Sequence, residues 1–143
     1  MKVAINVDIG GFALRREILL KMYEVGSPLI HAFDGDEDRK WYEMQLEEIN
    51  KYTGEQAEQQ MEWLKNQYVF APDGKVLYWG GNDIDRADPL LIQLIEEYDG
   101  NAHQDWQSHR KIKIVEVPND VKWYIHEDDC GYEVVHEEHR MWY

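Results

Sequence analysis

The stretch Tyr78-Trp79-Gly80-Gly81-Asn82-Asp83-Ile84-Asp85-Arg86 packs aromatic rings, glycines, an amide, carboxylates and a guanidinium into one loop ahead of a helix start. Such groups can stack a base, bond ribose hydroxyls and fork onto a phosphate. Tyr78, Trp79, Asn82, Asp85 and Arg86 are the residues this reading assigns. The same residues also read as a capped loop in which Arg86 pairs with Asp83 or Asp85. A second anion site is suggested by Asp8-Ile9-Gly10-Gly11-Phe12. There Gly10, Gly11 and Phe12 would expose backbone N–H groups between a strand and a helix. The spacing matches neither the dinucleotide fingerprint nor a phosphate-binding P-loop. A tight turn needing glycine geometry explains it equally simply. The third candidate is His109-Arg110-Lys111, a compact cationic cluster sized for a pyrophosphate. Its plain alternative is a strand start whose cations pair with nearby acids.

Other chemistry finds less to work with. His136 and His139 stand in HEEH, which is neither of the zinc-protease patterns, and His103, His109 and His126 have no ligand spacing. No metal or cofactor is expected. The single Cys130 stands in an acidic turn, a poor setting for a nucleophile, and it cannot form an intrachain disulfide. No serine, histidine and acid suggest a triad. Binding without catalysis is the reading that follows. Two rivals remain: a nucleotide hydrolase with Mg²⁺ held by Asp83, Asp85 and Asp88, and an acidic nucleic-acid mimic that blocks a basic protein.

The charge balance narrows the partners. Asp and Glu number 29 against 15 Lys and Arg, for a formal charge of −14. That field repels DNA, RNA and anionic lipid at long range, so any anion must be held by local cations and N–H groups. No apolar run has the length of a membrane span, and the N-terminus lacks a leader pattern, so a cytoplasmic protein is expected.

The elements that would position these residues give an α+β class. We expect a mixed or antiparallel sheet with flanking helices, in a single compact domain over 1–143 with an acidic helical insertion at about 36–66. Val3, Ile5 and Val7 alternate as a strand, and Leu14, Ile18, Leu19 and Met22 recur at helical spacing up to Gly26. Pro28 to Phe33 predicts a second strand. Thr53-Gly54 divides the acidic middle into two helices, with Thr53 as the N-cap of the second. Pro72-Asp73-Gly74 suits a hairpin between Tyr68–Ala71 and Lys75–Trp79. Asp88-Pro89 marks a strong helix start. Strands are expected over Lys111–Val117, Val121–His126 and Tyr132–His136, around the turn Asp128-Asp129-Cys130-Gly131.

Four blocks carry a resemblance: MKVAINVDIGGFAL at the start, DIDRADPLLIQLIEE, KIVEVPNDVKWYI, and the tail EEHRMWY. Together they resemble a phage-encoded group that includes the Thoeris anti-defence sponges of the first type. The likeness covers the first 14 residues and nearly all of Asp83–Tyr143. It implies a protein that sequesters cyclic ADP-ribose isomers without cleaving them, assembles as a dimer or hexamer, and in some members also takes cyclic oligonucleotides. By position, Tyr78 to Asn82 would hold base and ribose, while Arg86 and His109 to Lys111 would face phosphates. Asp8-Ile9, Arg15-Arg16 and the acidic middle depart from the pattern. The abundant aromatics, with Trp142-Tyr143 at the end, suggest the oligomer contact.

Overall fold

The computed structural model describes residues 1–8, 10–98, 101–104 and 111–138, and the chain divides into two compact units. The first joins Met1–Leu14 to Gly81–Tyr143, and the second is Arg15–Gly80. The class is α+β, with helices beside small antiparallel sheets.

In the first unit the alternating segments form β1 (Lys2–Asn6) and β4 (Ile112–Glu116), paired antiparallel from Lys2↔Glu116 to Asn6↔Ile112. Opposed residues in such a ladder share a face. Val3, Ile5 and Val115 therefore lie together, with Lys113 opposite Ile5. A second ladder pairs β5 (Trp123–Glu127) with β6 (Glu133–Glu137). Its inner face supplies Trp123, Ile125 and Val135 to a core around Val3, Ile5 and Val117. Helix α4 (Pro89–Glu97) starts as expected: the Asp88 carboxylate accepts from the Leu91 N–H at 3.0 Å, and Pro89 occupies the first turn. It buries Leu91, Ile92, Leu94 and Ile95.

The second unit holds α1 (Arg16–Glu24), β2 (Ile30–Phe33), α2 (Asp36–Ile49), α3 (Gly54–Gln67) and β3 (Val76–Trp79). The two acidic helices expected over 36–66 are α2 and α3. They belong to a larger body because α1 packs on β2 and β3, and the α1 start is tied to α3: the Arg16 N–H donates to Asn66 Oδ1 at 2.9 Å. Thr53 precedes α3, but its side chain makes no capping bond.

The expected hairpin around Pro72-Asp73-Gly74 is present in reduced form. One arm shrinks to a bridge at Phe70, while β3 takes β2 as its full partner from Ile30↔Trp79 to Phe33↔Val76. All named strand pairs are antiparallel, so the sheet expected as mixed or antiparallel is resolved into two-stranded ladders. No helix among the described residues is long and apolar enough to cross a membrane.

Candidate functional site

Arg86 is where the structure departs furthest from the sequence reading. It lies on a short 3-10 helix (Asp83–Ala87) and is only 7% exposed. Its guanidinium makes a bidentate pair with Glu133, Nη1–Oε1 at 2.8 Å and Nη2–Oε2 at 2.9 Å. The Phe12 ring covers it, with the guanidinium carbon 3.5 Å from the ring centroid. Glu133 also accepts from the Asn6 N–H at 2.8 Å, and Arg86 Nη1 reaches the Ala4 carbonyl at 3.3 Å. The guanidinium is thus committed to a buried carboxylate, and the expectation that it faces phosphate is corrected. The alternative pairing with Asp83 or Asp85 is corrected too.

Asn82 and Asp85 serve local geometry. The Asp85 carboxylate accepts from the Asn82 N–H at 2.8 Å, and the Asp85 N–H donates to the Asn82 carbonyl at 3.0 Å. With Asp88 capping α4, these carboxylates point at separate backbone donors rather than at one ion. Among the described residues no three His, Cys, Asp or Glu side chains converge on a metal position. The Mg²⁺ reading places Asp83, Asp85 and Asp88 together; Asp85 and Asp88 instead bond the backbone at Asn82 and Leu91.

The Gly10-Gly11 pair is spent on packing. The Gly10 N–H donates to the Cys130 carbonyl at 2.7 Å, and both glycines have positive φ, 104° and 81°. Gly131 lies against them so closely that a Cβ there would strike Gly11 N and stand 2.9 Å from Gly11 Cα. Asn6 Nδ2 ties this turn to β1 by donating to the Asp8 and Gly131 carbonyls at 2.6 and 2.8 Å. His103, 1% exposed, donates from Nε2 to the Gly11 carbonyl at 2.9 Å. Of the expected cradle's donors, the Gly10 N–H is thus taken by the Cys130 carbonyl, and the two turns meet glycine to glycine.

Tyr78 and Trp79 belong to β3 of the second unit, so the aromatic and amide set is split across the two units. The exposed Tyr78 sits opposite His31 and beside Phe33, 5.9 Å between ring centroids. Its hydroxyl donates to Asp38 Oδ1 at 3.1 Å. Partial burial and that carboxylate push the phenol above its ordinary value. A raised native value gives stability that is complete below about pH 10, the unfolded value, and is lost as pH rises through the native one. Tyr78→Phe should therefore flatten part of the alkaline loss of stability, measured by urea unfolding at about pH 8 and about pH 11.

His109 and Arg110 lie outside the described residues. Lys111 is exposed, and its carbonyl accepts from the Val7 N–H at 3.0 Å. The neighbour that sequence reasoning missed is Lys113. Alternation along β4 puts Lys111 and Lys113 on one side of the strand.

Lys113 stands at a groove of about 360 Å³, which lies within the usual range of ligand pockets. Val7, Val115, Val121 and Val135 give it an apolar floor, and Trp123 and Tyr132 contribute aromatic surface. Glu116, Glu137 and the Arg86-paired Glu133 also line it. The groove adjoins a second depression of about 410 Å³ lined by Lys111, Lys113, Val7 and Glu96. A larger hollow of about 620 Å³ along α4 offers less, because its Lys2 is already paired with Glu96 at 3.1 Å.

No protein family, no characterised protein and no solved structure matches this chain.

Proposed function

We propose that this chain binds a small nucleotide-like molecule and retains it unchanged. The observation that carries the reading is the groove of the first unit, which Trp123, Tyr132 and Lys113 line together with several valines. An aromatic ring offers stacking to a base, at about 1–3 kcal/mol per base. Carboxylates such as Glu116 and Glu137 are acceptors for ribose hydroxyls, and Lys113 with Lys111 supplies charge for a phosphate. The chemistry asked of the site is affinity alone; nanomolar retention needs about 12 kcal/mol in total.

The ligand class comes from the sequence resemblance. On that basis the protein is a phage counter-defence sponge for a cyclic ADP-ribose isomer, working in the infected bacterial cytoplasm as a dimer or hexamer. Cyclic oligonucleotides are further candidates. The groove replaces Arg86 and the Gly10-Gly11 turn as the place where the ligand sits.

Thermal-shift and calorimetric screens against cyclic ADP-ribose isomers and cyclic di- and trinucleotides test it. A ligand at a hundredfold excess over its Kd should add about 2.7 kcal/mol of stability. Heat release followed by mass spectrometry should return the ligand intact. Lys113→Glu, an exposed change, should cut affinity by about tenfold or more through charge reversal. Trp123→Ala should cost about 1–3 kcal/mol of binding. If no nucleotide shifts the melting curve, or the bound molecule comes back cleaved, the reading fails. A strict monomer by light scattering would remove the oligomer from it.

A further inference from the structure

The outer face of the β5–β6 ladder is a separate surface from the groove. Register sets Tyr124 opposite His136 and His126 opposite Val134, so His126 and His136 are diagonal neighbours on one exposed face. Their ring centroids are 5.7 Å apart with planes at 87°. Tyr124 stacks on His136 at 5.4 Å and 14°, which holds that ring in place.

We infer that His126 and His136 form a two-point clamp for a divalent transition ion, of the class of Zn²⁺, Ni²⁺ or Cu²⁺. Imidazole nitrogens suit these ions, and a metal–nitrogen bond of about 2.0–2.1 Å from each ring puts the two centroids about 5.2 Å apart at the tetrahedral angle. The observed 5.7 Å is about half an ångström wider, a difference that rotation of exposed side chains closes. Both rings face solvent, so an ion can enter, and the chain's formal charge of −14 raises the local concentration of cations. Two protein nitrogens leave coordination positions for water, as in an open rather than a closed structural site. The turn between the strands separates the two histidines in sequence, so no ligand motif announces them. Strand register alone brings them together.

Tag-free protein titrated with Zn²⁺ in a calorimeter should show one ion taken up per chain. His126→Ala and His136→Ala should each weaken uptake by about tenfold or more, because loss of a ligand costs no less than loss of a ligand's supporting partner. His31→Ala, an exposed histidine of the second unit, should leave it unchanged. With substoichiometric Cu²⁺ as a paramagnetic probe, NMR signals of Tyr124 and Val134 should broaden first, which locates the ion without any substitution. No Zn²⁺ uptake by the wild-type chain, wild-type affinity retained in either histidine variant, or broadening centred elsewhere overturns the clamp. The outcome is independent of nucleotide binding.

Discussion

Glu133→Ala lowers the stability of the first unit by about 3–5 kcal/mol, read from urea unfolding, because it strands the Arg86 guanidinium in the interior. The side chains of this pair are 9% and 3% exposed, so both charges are largely withdrawn from water. The Asn6 N–H loses its acceptor in the same step. Such a loss should lower Tm by about 10 °C or more for a unit of this size. The paired change Arg86→Met with Glu133→Leu should recover most of the stability. It removes both charges together, along with Arg86 Nε, which has no hydrogen-bond partner among the described residues. This cycle separates two roles for Arg86. A phosphate ligand would lose affinity on mutation with little change in stability, whereas a buried strut should lose stability first. Recovery in the double variant then shows the pair to be replaceable as packing. A mild Glu133→Ala, under about 1 kcal/mol, would mean that the guanidinium has other company and that the burial is not rigid.

Local rules do not reach the pairing that Arg86 makes, for a physical reason. A local rule offers Asp83 and Asp85 as partners, since they are adjacent in the chain. The partner chosen by the fold is 47 positions away and is one of 29 acids. One signal did exist. Glu133 shares the inward parity of β6 with Val135, so an acid was being directed at the core and needed a cation there. The same parity argument, applied to β4, joins Lys113 to Lys111. What alternation and capping could show, they did show: β1, β4, the Asp88-Pro89 helix start and the turn before β6 were all legible. Pairings between distant segments were not, because periodicity assigns a face to each strand without naming its neighbour. His126 and His136 have no meaningful spacing until the β5–β6 register is known. The cationic segment containing His109 and Arg110 lies outside the described residues, so the test of that region passes to Lys111 and Lys113.

Gly131→Ala should cost about 2–5 kcal/mol of stability. Two effects add. Its φ of 91° lies in the left-handed region, where a Cβ costs about 1–2 kcal/mol. The new methyl would also be driven into the backbone of the Gly10-Gly11 turn, with Gly11 Cα at 2.9 Å and Gly10 C at 3.1 Å. Backbone atoms cannot rotate away as a flexible side chain can, so overpacking adds about 1–3 kcal/mol. Gly74→Ala supplies the comparison: its φ is 88°, but a Cβ there meets nothing within 4 Å, so only the conformational cost of about 1–2 kcal/mol should appear. The difference between the two variants isolates the packing of one turn on the other. It also decides what the glycine pair is for. A large difference assigns Gly10 and Gly11 to close backbone approach, with the Gly10 N–H already given to Cys130. If Gly131→Ala costs no more than Gly74→Ala, the turns are not pressed together. The close-approach role of Gly10 and Gly11 would then fall, and their positive φ values would reflect the turn alone.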